Sequence, residues 1–164
     1  MTTLTRTTAR LRAEGRTAVV PFLTAGYPDT ATFRRLLAAT AEAGAPIVEI
    51  GVPFSDPVAD GPAIQAASQV ALAQGMTLGG ALAEAGHAAR DHGLQPVLMG
   101  YLNPLLAYGP ERFAAACAEQ GVAGVIVPDL PLEEAGGLRP LLKEHDVSLV
   151  ELVAPTSGPQ RLAA

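Results

Sequence analysis

Tryptophan is absent from this 164-residue chain, cysteine occurs once, and aromatic residues make up only 4%. With so little ring volume, a core has to be packed mainly from alanine, valine, leucine and isoleucine, and apolar types do reach 49%. That share excludes an intrinsically disordered chain. A single cysteine, Cys117, excludes an internal disulfide and suits a reducing cytoplasm. Clusters of positive charge are missing too. Lys and Arg number 11 against 16 Asp and Glu, a net charge of −5, which argues against a nucleic-acid partner. No apolar run reaches the roughly 18 residues of a membrane span, so no membrane association is expected. His87 and His92 are spaced wrongly for a shared metal, His145 follows charged residues near a helix end, and no Cys, His or carboxylate spacing suggests a metal site. Neither a Gly-x-Ser-x-Gly elbow nor a nucleophilic Cys/His set is present.

The opening stretch, MTTLTRTTARLRAEGR, is basic and rich in threonine. No apolar run follows its basic residues, so no secretory signal is expected, and the acidic Glu14 and short length argue against a transit peptide. Leu4 and Leu11 instead predict a short amphipathic helix.

Five apolar strand candidates alternate with helical patterns. They are AVVPFLT (residues 18–24), PIVEIGV (46–52), PVLMGYL (96–102), GVIVPD (124–129) and SLVELVA (148–154). Between the first two, Asp29 is the expected N-cap of a helix whose apolar face carries Phe33, Leu36, Leu37 and Thr40 and which Gly44 ends. Strand and helix at this rhythm mean right-handed βαβ units and a parallel sheet. The helix after the fourth strand contains Gly136, Gly137 and Pro140 and is expected to be short or broken. The gap between the second and third strands is about twice the others, because it holds the loop PFSDPVADGP and a small helix, IQAASQVALAQG. Polar residues recur beyond the strand ends: Thr24, Ser55, Asp56, Asn103, Asp129 and Thr156. Open doubly wound sheets and (β/α)8 barrels both bind ligands at that end. The first βα loop, TAGYPDT, lacks the Gly-x-Gly-x-x-Gly pattern of a dinucleotide cradle. The favoured class is α/β of the (β/α)8 TIM-barrel type, with about five βα units in one domain over residues 1–164. The chain stops at RLAA just as TSGPQ opens a helix pattern, so the domain is expected to be truncated at its carboxyl end.

Glu49 is the unusual residue. It stands among Ile47, Val48 and Ile50, where a carboxylate loses hydration. One reading is a buried or edge glutamate satisfied by its surroundings. The other is a side chain aimed into the barrel mouth, with its proton affinity raised by burial for general acid–base work. Asp60 follows on a loop stiffened by Pro53, Pro57 and Pro62. Asp56, beside Pro57, reads as a turn or capping residue, and Asp60 has both that reading and a functional one. Glu151 repeats the glutamate-in-a-strand pattern in SLVELVA and reads best as an exposed edge residue. Cys117 reads as packing.

The stretch VEIGVPFSDPVADG (residues 48–61) resembles the signature of the tryptophan synthase alpha subunit family. PFLTAGYPD (21–29), GPAIQAAS (61–68), LMGYLNPLLAYG (98–109), GVIVPDLPLEE (124–134) and LVAPTS (152–157) are similar to that family in the same order. The resemblance implies a (β/α)8 barrel that cleaves indole-3-glycerol phosphate to indole and glyceraldehyde 3-phosphate by a retro-aldol lyase reaction. It implies no cofactor in this chain. It makes Glu49 the acid–base that protonates the indole ring carbon, and Asp60 the group that holds the ring N–H. Phe22, Tyr101, Val127 and Val153, placed on strands one, three, four and five, would line the indole pocket. The implied partner is the pyridoxal-phosphate-dependent beta subunit, in an alpha2-beta2 tetramer, met through Pro53, Asp56, Pro57, Asn103 and Pro104. Members of the family continue through three more strands, which carry the closing loop and the phosphate site, so the isolated chain is expected to have little lyase activity. The alternatives are a truncated, non-catalytic module that binds the beta subunit, or another phosphate-sugar barrel.

Overall fold

Thr2 caps the first helix with its hydroxyl, which accepts the Thr5 N–H. The computed structural model describes residues 1–163, with side chains through residue 161. In chain order the elements are α1 (Thr3–Ala13), β1 (Phe22–Thr24), α2 (Thr30–Glu42), β2 (Ile47–Gly51), α3 (Pro62–Ala73), α4 (Leu78–His92), β3 (Gln95–Met99), α5 (Leu102–Tyr108), α6 (Pro110–Glu119) and β4 (Gly124–Ile126). A 3₁₀ turn (Leu132–Glu134), α7 (Leu138–Glu144), β5 (Ser148–Leu149) and α8 (Pro159–Ala163) complete them. Asp29 caps α2 as expected, accepting the Thr32 N–H at 2.8 Å. Gly93, at φ +66°, supplies the left-handed turn that ends α4 and aims the chain into β3.

The strands form one parallel sheet in the order β1-β2-β3-β4-β5. This order decides between the two α/β architectures. A doubly wound sheet reverses its strand order at a switch point, whereas here each new strand adds to the same side as the last. Continuous winding in one direction is the barrel arrangement. Successive residues of a strand face opposite sides, and the two sides have separate cores. Val48, Ile50, Leu98 and Val125 pack under the helices with Phe33, Leu37, Leu82, Phe113, Cys117 and Leu142. Ile47, Val97 and Ile126 face the other way and pack with Leu4 of α1. Helix α1 thus closes the amino end of the inner face. It is tied to the last strand by Thr2 against Ser148, and to the turn before that strand by Thr3 and Arg6 on Asp146.

Several predicted boundaries move. The first strand starts at Phe22 rather than residue 18, so Phe22 opens the strand instead of ending it. The fifth covers two residues, because β4 is short and its last offered acceptor, the Val125 carbonyl, is taken by Val150. Val153, expected on that strand, lies beyond it and is 63% exposed. Tyr101 and Leu102, expected on the third strand, are the cap and first residue of α5. Leu36 is 40% exposed, since the buried stripe of α2 centres on Phe33 and Leu37. Gly136 and Gly137 do separate the 3₁₀ turn from a seven-residue α7, as predicted.

Candidate active site

Glu49 occupies the middle of β2, on the inner face with Ile47 and Gly51. Its register partners are Phe22 on β1 and Val97 on β3, so apolar side chains flank it on both sides. Its side chain is half-buried, and burial alone raises the carboxyl above its ordinary value of 4.5. A carboxyl of this kind holds a proton more readily than a solvated one, the property required of a group that donates to carbon and takes the proton back.

Asp60 reaches the same face from the loop after β2. It lines a narrow cleft with Phe22, Gly51, Ile64, Met99 and Tyr101. Phe22 belongs to both groups, as the register partner of Glu49 and a wall of the Asp60 cleft. Its ring lies across Gly51, where an added Cβ would stand 2.5 Å from Cζ, so glycine is required for the ring to sit there. The cleft's free volume is about 10 Å³, room for roughly one water. An aromatic ligand therefore needs the Phe22 ring or the Asp60 loop to move aside. Tyr101 is buried beneath that loop, and its hydroxyl accepts the Ala59 N–H at 3.0 Å. Burial pushes the phenol up from its ordinary value, and the neighbouring Asp60 and Asp129 carboxylates add to the shift.

The expected pocket residues fall into two groups. Phe22 and Tyr101 join Asp60, whereas Val127 and Val153 line a separate cavity of about 610 Å³ beside β5, with Asp129, Arg139 and Glu151. Val127 is buried among the helix-side core. Glu151 is exposed and ion-paired with Arg139 at 2.7 Å, which occupies its charge. Of the expected partner-facing residues, Pro53 is buried at the loop root, Asp56 and Asn103 are exposed, and Pro57 and Pro104 are intermediate. All five lie on two stretches that meet at Tyr101. Asp129, read from sequence only as a polar strand-end residue, accepts the Leu102 N–H at 2.9 Å and so caps α5 from another βα unit. Sequence reasoning missed Glu84, which is buried on α4 and held by both forks of Arg34 at 2.9 and 2.7 Å. Among the described residues no group of three or more His, Cys, Asp or Glu could hold a metal ion, and no helix is long and apolar enough to cross a membrane.

A one-way parallel sheet with two carboxyl groups at its inner face defines a barrel-type α/β protein with a candidate acid–base site. The family model described as "Tryptophan synthase alpha chain" matches residues 8–164. The chain belongs to the tryptophan synthase alpha chain family. The alpha chain of Desulfovibrio desulfuricans is 53% identical over 154 residues, covering 92% of this chain and 59% of the relative. That of Chloroflexus aurantiacus is 47% identical over 164 residues, covering 99% and 62%. The solved alpha subunit of Legionella pneumophila superposes with a TM-score of 0.93 at 35% identity, over 99% of this chain and 63% of that one. A tryptophan synthase structure from M. tuberculosis gives 0.92 at 39% identity, over 99% and 65%. The chain spans about three-fifths of the length of the curated relatives it matches.

Proposed function

We propose that this chain carries the acid–base half of a lyase site that cleaves indole-3-glycerol phosphate to indole and glyceraldehyde 3-phosphate. The observation that carries the proposal is the pairing of a half-buried Glu49, whose carboxyl burial raises above its ordinary value, with Asp60 around the shared wall of Phe22. Glu49 delivers a proton to the ring carbon that bears the side chain, which leaves a cationic, indolenine-like ring. Asp60 accepts the ring N–H and stabilises that positive charge. The Glu49 carboxylate then takes the proton of the side-chain hydroxyl beside the breaking bond, the carbon–carbon bond breaks as the aldehyde C=O forms, its electron pair restores the aromatic ring, and Glu49 is protonated again. Indole and the aldehyde are the products. Two differently placed carboxyls, one to move the proton and one to steady the positive charge, are a recurring solution to such chemistry.

The steps use no cofactor of this chain. Pyridoxal phosphate belongs to the beta subunit, the partner we assign to the face made by Pro53, Asp56, Pro57, Asn103 and Pro104, in the cytoplasm. The test is a chimera in which this chain is continued by the portion of the D. desulfuricans relative that it does not cover. The chimera should release indole from indole-3-glycerol phosphate, and Glu49→Gln should lower the rate by roughly 10²- to 10⁴-fold. A chimera that docks the beta subunit yet releases no indole, or a Glu49→Gln chimera of full activity, would refute the assignment.

A further inference from the structure

Tyr101 meets the Asp60 loop at two places. Its hydroxyl accepts the Ala59 N–H at 3.0 Å, one residue before Asp60. Its ring packs on Phe54 at the other end of the loop, with centroids 5.3 Å apart and planes 33° apart. Between these two holds Ser55, Asp56 and Val58 stand out in solvent. Within residues 53–60 the other hydrogen bond to a different element comes from Gln65, which donates to the Asp60 carbonyl at 2.8 Å from the helix that directly follows the loop. Among the described residues, the Tyr101 hydrogen bond is the one from this loop that reaches across the chain.

Tyr101 is itself well fixed. It is 4% exposed and caps α5, whose first N–H is bound by Asp129. A hydroxyl that accepts from a backbone amide keeps its own proton to give, and the Asp60 carboxylate is beside it. We infer that Tyr101 is a positioning residue that clasps both ends of the 53–60 loop and so sets where the Asp60 carboxylate stands in the cleft. The inference rests on the reading of Asp60 as partner to a ring N–H. Tyr101 acts through Asp60, and because the solvent-facing tip of the loop lies between its two holds, anything that binds the tip pulls on the same clasp.

Tyr101→Phe keeps the ring against Phe54 and removes the hydroxyl. In the 164-residue chain, hydrogen exchange at the Ala59 amide should rise about fivefold, the loss of one ordinary hydrogen bond. Exchange at Ile50 and Leu98 in the strands should be unchanged. Indole, used as the probe in an NMR titration, should bind Tyr101→Phe several-fold more weakly than the parent. In an Asp60→Asn background the same substitution should cost nothing further, a coupling that a merely structural role would not give. An unchanged Ala59 amide, equal acceleration at Ile50 and Leu98, or additive losses of indole binding would overturn the clasp. Absence of any Asp60-dependent indole binding would count against the proposed lyase site alone, because the Ala59 amide tests the clasp without a ligand.

Discussion

Replacing Arg34 with methionine should destabilise the chain far more than its place on an exposed helix face suggests. Arg34 joins α2 to α4 through a two-pronged contact with Glu84, at 2.9 and 2.7 Å. The exposures are unequal: the Arg34 side chain is 50% exposed and the Glu84 side chain 6%. Methionine retains most of the arginine stem and its packing, so the loss is essentially of the guanidinium. Glu84 would then be left as a buried carboxylate without its partner. Each bond to a charged group contributes about 1.5–3 kcal/mol, and the half-exposed arginine requires a discount for solvent screening. A net loss of about 2 kcal/mol follows, or roughly 4–8 °C in Tm for a chain of this size. Glu84→Met added to Arg34→Met removes the stranded charge and should recover most of the loss, since a buried ion pair often exchanges for apolar side chains at little net change. Urea unfolding followed by circular dichroism measures all three proteins. If Arg34→Met is neutral, or if the double variant is less stable than the single one, the account of Glu84 is wrong.

Three further outcomes are expected. Burial raises the Glu49 pKa above 4.5, so the native state favours its protonated form; that contribution is full in acid and is lost as the pH rises through the native-state value. Glu49→Gln should therefore raise the urea midpoint at pH 7 and leave it little changed at pH 4, and the reverse pattern would show that the carboxyl is not desolvated. Cys117 is buried, with its thiol pushed up to about 12, so a thiol reagent such as DTNB should fail to label the native chain and label it fully in urea. Gly51→Ala forces the Phe22 ring away from its seat and should cost about 1–3 kcal/mol in urea unfolding, against no change if the ring swings freely into the cleft.

The βα rhythm, the N-cap at Asp29 and the breaks around Gly136 and Gly137 were legible because each is written in a few neighbouring residues. The candidacy of Glu49 was legible for the same reason, as one carboxyl inside a β-branched run. Strand ends were not. β5 stops where β4 has no further acceptor to offer, a limit set by another part of the chain, and this is why Val153 left the strand on which it was expected. Tyr101 read as one more pocket aromatic, since nothing near it in sequence reveals an amide 42 positions away. Glu84 lies on a helix among alanines, and only Arg34, 50 positions earlier, marks it as buried. The winding direction that separates a barrel from a doubly wound sheet likewise became readable only in the strand order.

That strand order bears on how the molecule is made. Because each strand pairs with the one synthesised just before it, the sheet can grow in step with translation, one βα unit at a time as each leaves the ribosome. Contacts of this kind span short stretches of chain and close quickly. Helix α1 is the exception. Its ties to Ser148 and Asp146 join positions more than 140 residues apart, so α1 settles only once the residues around Ser148 have been made. Until then the amino end of the inner face, with Ile47, Val97 and Ile126, lacks the cover that Leu4 provides in the folded chain.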